Sequence, residues 1–248
     1  MHYPVSVYGI LISTAILVCI LIVEKRAKDL GKAPSIVWDL ATTAILSGLI
    51  GARIYHVLDY WQYYSAQPSK VFHFWEGGLG IWGGIFGAFL GISIYLKLRT
   101  KKYGSESTLL WLDLIAGVAP LGQAIGRLGN YFNHENFGMP TTLPWGIYID
   151  PQHRPENYAN SSTFHPLFLY EGILDVLLCF LLNREAKNHN YGQGYILGFY
   201  LLGYSLIRFL LEFLKVNPWK FDGIPVAQIV SVATIVATIV FLRTRRLV

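Results

Sequence analysis

Charge is scarce in this chain of 248 residues: Asp, Glu, Lys and Arg make up 14% of it and hydrophobic residues 53%, where an ordinary soluble domain carries about 25% charged residues. That balance excludes intrinsic disorder and argues against a soluble globular enzyme. Cysteine is nearly absent. Cys19 and Cys179 lie inside apolar runs without C-x-x-C spacing, so the chain offers neither a disulfide framework nor a metal knuckle. Several catalytic patterns are missing too. There is no G-x-S-x-G elbow, which argues against a serine hydrolase, and no H-E-x-x-H, D-x-x-D or Cys/His set to hold a metal. P-loop and dinucleotide glycine patterns are absent, and no inverted repeat of the transporter kind is evident.

What the chain has in abundance is long apolar runs, about Val5–Val23, Ile36–Leu58, Gly78–Leu96, Thr108–Gly126, Leu167–Leu182, Gly194–Phe213 and Pro225–Leu242. Roughly 20 apolar residues suffice for one membrane crossing. The pattern therefore predicts an all-α, polytopic membrane protein of about seven transmembrane helices, forming a single integral-membrane domain over residues 1–248. The first run is expected to be a retained helix. Met1–Pro4 lacks a Lys or Arg, and the run ends in Glu24-Lys25-Arg26 rather than a small-residue cleavage site.

The net charge of +5 would suggest nucleic acid in a soluble protein, but here the basic residues sit in short loops between apolar runs. Segments 24–35, 97–107, 183–193 and 243–248 hold thirteen Lys and Arg, and the alternate segments hold five. The positive-inside rule then predicts an outside N-terminus and a cytoplasmic C-terminus. Residues 127–166 form the longest connection, an outer-face segment rich in Asn, Pro and aromatics, and its length marks it as functional or disordered.

Ionisable groups inside a membrane are costly and usually functional. In the predicted topology Tyr8, Arg53, His56, Asp59, Glu76, Trp82, Gln123, Arg127, Asn130, His165, Tyr170, Glu171, Tyr204, Arg208 and Glu212 all fall near the outer ends of their helices. The spacing of four puts Tyr204, Arg208 and Glu212 on one helix face. The competing explanation for Arg53, Arg127 and Arg208 is snorkelling to the headgroups. Two or three arginines without a matching excess of carboxylates suit a phosphate, which guanidinium binds bidentately, and a phospholipid headgroup is the anion at that depth. Glu212 is expected to hold Arg208, while Asn130, Asn133 and Glu135 add hydrogen-bonding and proton-accepting capacity. Asp39 and Asp113, toward the inner ends, read as capping or interhelical hydrogen bonding. Gly83, Gly87 and Gly91 form a small-xxx-small ladder for close helix approach, and Gly117, Pro120 and Gly122 mark a kink.

The stretch Gly126-Arg127-Leu128-Gly129-Asn130-Tyr131-Phe132-Asn133-His134-Glu135-Asn136-Phe137-Gly138, followed by Pro144-Trp145-Gly146, resembles the signature of the bacterial prolipoprotein diacylglyceryl transferase family. Further matches are Gly51-Ala52-Arg53-Ile54, Gly77-Gly78, Gly83-Gly84, His165-Pro166, Leu169-Tyr170-Glu171, then Tyr204, Arg208 and Glu212, and finally Gly223 and Gln228-Ile229. The resemblance runs in order along nearly the whole chain. It implies a multi-pass protein of the bacterial cytoplasmic (inner) membrane with its active site toward the outer leaflet. The implied reaction moves the diacylglyceryl group of phosphatidylglycerol to the lipobox cysteine of a preprolipoprotein, giving a thioether and glycerol phosphate, with no cofactor or metal and no nucleic-acid partner. It assigns catalytic roles to Arg127, Arg208 and Glu135, and substrate binding to Tyr8, Arg53, Asn130, Gly138, Tyr204 and Glu212.

One departure stands out. Many family members have a His where this chain reads Trp82, and an indole cannot accept a proton; the thiol, with an ordinary pKa near ~8.5, then needs Glu135 or His134 as base and the field of Arg127. His165 is read as orienting its loop or touching the headgroup rather than moving a proton, and His56 and His73 carry no assignment. Two other readings stay open at this point: a paralogue acting on another nucleophile, and a non-catalytic lipid-binding or transport protein.

Overall fold

The structure is a computed structural model that describes residues 7–103, 108–189 and 191–246. Met1–Ser6, which include the start of the first apolar run, lie outside the described residues, as do 104–107, 190 and 247–248. The chain is helical throughout: α1 Val7–Asp29, α2 Pro34–Asp59, α3 Trp61–Ala66, α4 Ile81–Tyr103, α5 Thr108–Ala116, α6 Ala119–Phe132, α7 Leu167–Glu185, α8 Tyr195–Leu211 and α9 Val226–Arg246. Two short antiparallel pairs interrupt it, β1 Ile147–Tyr148 with β2 Thr163–Phe164, and β3 Lys220–Phe221 with β4 Ile224–Pro225. The second pair closes through Asp222 and Gly223, both at positive φ, as a two-residue hairpin requires.

Among the described residues five helices (α1, α2, α4, α8 with the turn after it, and α9) are long and apolar enough to cross a membrane, and α5 and α6, bent by 43° at their break, meet the same criterion only when taken together. The protein is thus an all-α polytopic membrane protein. The expected seventh span, α7, has 19 residues, about 28 Å at the rise of an α-helix. Charge lowers its hydropathy: Glu171 and Asp175 project from it, and both are fully buried in protein.

The chain divides into two compact units, residues 24–108 and residues 1–23 with 109–248. In the first, α2 and α4 meet along glycines. A Cβ on Gly51 would overlap the Gly83 carbonyl, one on Gly83 would overlap Gly51, and one on Gly87 would strike the carbonyl of Ser47. The expected ladder is therefore a backbone-to-backbone crossing, the packing favoured where helices gain nothing from excluding water. Toward the start of α2 Tyr95 donates to Asp39 at 2.6 Å and Arg99 lies 3.6 Å from the same carboxylate, an interhelical role as expected for Asp39.

The loop after α3 is stapled to α2 by Arg53. Its guanidinium donates to the carbonyls of Lys70 (2.5 Å), Val71 (2.8 Å), Gly77 (2.8 Å) and Gly78 (2.9 Å) and lies over the Tyr64 ring. Four of its five N–H groups thus go to backbone, a scaffolding role that the sequence did not reveal. In the same loop Lys70 donates to Glu76 at 2.7 and 2.9 Å. That bond holds the Glu76 carboxyl below its usual range, although the pair is exposed and adds little to stability.

In the second unit α1 packs on the glycine face of α6. The ring of Tyr8 lies against Gly129, Ile12 against Gly126 and Cys19 against Gly122. The α5–α6 break removes helical hydrogen bonds, and both thiols turn to the carbonyls there, Cys19 toward Val118 at 3.6 Å and Cys179 toward Gly117 at 3.8 Å. Asp113 of α5 is fully buried. One carboxylate oxygen accepts from the amides of Gly192 and Gly194, and the other from Leu197, all at 2.9 Å. It therefore caps α8 from another helix, satisfying amides that a helix start leaves unpaired.

Two predictions follow from this packing. Gly83→Ala should lower stability by about 1–3 kcal/mol, the range of an overpacked core. Gly84→Ala, whose added methyl meets Ala52 at an ordinary 3.6 Å, should be neutral; thermal melting in detergent reads both. Asp113→Asn leaves an amide NH2 facing backbone N–H groups and should cost roughly 3 kcal/mol, the upper range for hydrogen bonds to a charged group, in the same assay.

Candidate functional site

The polar residues of the second unit converge on one carboxylate. Glu171, in the first turns of α7 and fully buried, accepts from Arg127 at 2.7 Å and Tyr204 at 3.3 Å through one oxygen. Its other oxygen accepts from Arg208 and Asn136, each at 3.3 Å. Four donors thus reach it from α6, α8 and the turn after α6. The i, i+4 spacing on α8 works as the sequence suggested: Arg208 extends between Glu171 and Glu212, donating to the latter at 3.2 Å, and Tyr204 sits one turn earlier on the same face. Lys215 approaches Glu212 at 3.9 Å.

A second branch runs along the signature stretch. Arg127 also donates to Asn130 at 3.4 Å, Asn130 donates to Glu135 at 3.0 Å, and Asn133 donates to the same oxygen at 3.1 Å. The chain reverses around Glu135 because His134 (φ 50°) and Asn136 (φ 56°) take the left-handed conformation, and the Glu135 amide bonds back to the Asn130 carbonyl at 3.0 Å. Glu135 stays exposed beside a shallow crevice lined by Asn130, Tyr131, Tyr148 and Phe168. His134 also lines this crevice, and its ring stacks on His153.

Gly138 joins this region through its backbone. Its amide donates to His165, the next amide, of Met139, donates to the Leu214 carbonyl, both at 2.8 Å, and a Cβ on Gly138 would lie 2.7 Å from that Leu214 carbonyl. Only a residue without a side chain lets the strip 138–139 lie between 164–165 and 214–215. Next to it Trp145 donates to the Tyr170 hydroxyl at 2.8 Å, and His165 Nδ1 lies 3.0 Å from the same oxygen.

Of the nine residues expected in the site, Arg127, Asn130, Glu135, Tyr204, Arg208 and Glu212 share one hydrogen-bonded network. Tyr8 packs on Gly129 beside it, and Gly138 shapes its backbone. Arg53 belongs to the other unit. The arginines, expected without a matching excess of carboxylates, meet two of them: Glu171 accepts from both Arg127 and Arg208, and Glu212 from Arg208. The sequence undervalued Glu171, whose signal was a carboxylate in the first turns of an apolar helix. The pairing is nevertheless incomplete on the cationic side. Among the described residues Arg127 Nε, which is buried, has no hydrogen-bond partner, and further along α7 both oxygens of Asp175 are likewise buried without one. Arg127 and Arg208 keep about a quarter and a fifth of their side-chain surface accessible. An anion reaching them would therefore find donors in place and a low-dielectric setting that strengthens each bond.

The prolipoprotein diacylglyceryl transferase family profile matches residues 1–244. Among curated relatives, the phosphatidylglycerol–prolipoprotein diacylglyceryl transferase of Fervidobacterium nodosum is 40% identical over 230 residues, covering 92% of this chain and 77% of its own length. The proteins of the same name from Thermotoga petrophila (38% identical, covering 92% and 76%) and Trichormus variabilis (36% identical, covering 94% and 83%) are similar over comparable lengths. With the signature stretch folded into one network and the likeness running from end to end, this multi-pass membrane chain belongs to the prolipoprotein diacylglyceryl transferase family.

Proposed function

We propose that this protein transfers the diacylglyceryl group of phosphatidylglycerol to the lipobox cysteine of a preprolipoprotein. The observation that carries this reading is the pair Arg127 and Arg208, brought from two helices onto one buried carboxylate, with N–H groups of Arg127 still unspent. In the reaction the cysteine sulfur attacks the glyceryl carbon, the carbon–oxygen bond to phosphate breaks, and glycerol phosphate leaves with the bonding pair. The developing charge lies on the phosphate, so Arg127 and Arg208 bind that group and stabilise it as it departs. The thiol proton goes to Glu135, which stands exposed at the crevice with Asn130 and Asn133 orienting its other face. Tyr8, Tyr204 and Glu212 border the lipid site, Glu212 acting on it through Arg208.

The same reading sets the protein in the bacterial cytoplasmic membrane with seven spans, N-terminus outside, residues 127–166 at the outer face and the site toward the outer leaflet. There the lipid and a translocated cysteine meet. The loop bias of Lys and Arg supports this orientation. Trp82, exposed at the start of α4, has no proton-accepting atom and takes no step.

The test is mass spectrometry of a lipobox peptide incubated with the purified protein and phosphatidylglycerol. A diacylglyceryl mass gain on the cysteine is expected. Arg208→Ala should abolish it, and Arg208→Lys should restore little, because an ammonium cannot make the planar two-pronged contact. Glu171→Gln should cut the rate by about 100-fold or more, the scale of a lost electrostatic contact to the transition state, since both arginines lose their shared anchor. Trp82→His should leave the rate unchanged or raise it; complete loss would show a site built around the indole. An unmodified peptide with folded wild-type protein would sink the transferase reading.

A further inference from the structure

The turn after α6 and the loop after β1 bring three metal-binding side chains together outside the arginine network. The ligand atoms of His134, Asp150 and His153 all lie within 4.8 Å of one another. His134 Nε2 is 3.8 Å from an Asp150 oxygen, and the rings of His134 and His153 stack with centroids 4.7 Å apart and planes 18° from parallel. The backbone holds these positions. Pro151–His153 form one 3-10 turn, with the His153 amide bonded to the Asp150 carbonyl at 2.9 Å. Asp150 stands immediately before this turn and His153 ends it, so one tight turn holds both side chains near each other. His134 is fixed opposite them by its own amide, bonded to the Tyr131 carbonyl at 3.3 Å, and by the following Glu135 amide.

The neighbouring cation does not neutralise this cluster. Arg154 donates to the carbonyls of Ile149 and Ala159 and lies over the Tyr148 ring, and among the described residues the ion-pair partner of Asp150 is His134. All three side chains are also partly accessible, which leaves a path for an ion and room for a water ligand.

We propose that His134, Asp150 and His153 form a binding site for a divalent cation of the zinc class, with water in the fourth position. Two imidazole nitrogens and one carboxylate oxygen select such an ion over magnesium or calcium, which take oxygen ligands. A tetrahedral zinc with bonds of about 2.1 Å places its donors about 3.4 Å apart. Closing the cluster from at most 4.8 Å takes only side-chain rotation. Because His134 immediately precedes Glu135, an ion here ties the turn carrying Glu135 to the loop 150–153.

The test uses the full chain in detergent, stripped with EDTA and dialysed, titrated with zinc chloride by calorimetry. One saturable site per chain is expected, together with a rise in melting temperature, and millimolar magnesium should not compete. His153→Ala and Asp150→Asn should each weaken binding at least tenfold, while His73→Ala, a histidine paired with Glu76 elsewhere, should leave it unchanged. His153→Cys, which keeps a zinc ligand at the position, should retain the site, so loss through misfolding is told apart from loss of a ligand. No saturable wild-type binding, or wild-type affinity in both His153→Ala and Asp150→Asn, overturns the proposal.

Discussion

The second unit is organised around a carboxylate buried between two guanidinium groups. Glu171 has no solvent to turn to, and an unpaired carboxylate at such depth would be prohibitively costly. Its four donors come from α6, α8 and residue 136, so one atom pair fixes the relative positions of three segments. The dependence runs both ways. Arg127 and Arg208 would repel one another at this separation without the anion between them. The arrangement therefore keeps two cations close and oriented while leaving part of each accessible, the condition for receiving a third charged group.

Within each unit irregular backbone is met by side chains, as a chain in lipid requires, because unpaired amides and carbonyls find no water there. Each break has an assigned partner. Thiols of Cys19 and Cys179 approach the carbonyls at the α5–α6 bend, Asp113 takes three amides at the start of α8, and Arg53 takes four carbonyls in the loop before α4. The two cysteines thus do more than fill space, and an arginine placed within a span serves as a backbone staple.

The signature stretch divides its labour by residue type. Its glycines are packing positions: Gly126 and Gly129 admit Ile12 and Tyr8 of α1, and Gly138 admits the Leu214 carbonyl. Its polar residues carry the network from Arg127 through Asn130 to Glu135. Helix approach and chemistry are thereby coupled, since a side chain at Gly129 would displace the α1 ring next to Asn130.

Apolar run length, glycine spacing and the i, i+4 pattern of Tyr204, Arg208 and Glu212 were local properties, and they determined the helical membrane class, the α2–α4 crossing and the polar face of α8. The capping role of Asp113 was legible in kind, because a carboxylate near a helix end has few other uses. Pairing was not legible. Whether Arg127 and Arg208 stood in excess depended on Glu171, 44 and 37 positions away along the chain, and whether Arg53 faced a ligand or a loop depended on where residues 70–78 folded. His134, Asp150 and His153 formed no recognisable spacing until the turn after α6 met the loop after β1. Sequence determined which groups were present and which helix face bore them; only the tertiary structure decided which charges met, because Coulomb and hydrogen-bond energies depend on distances through space.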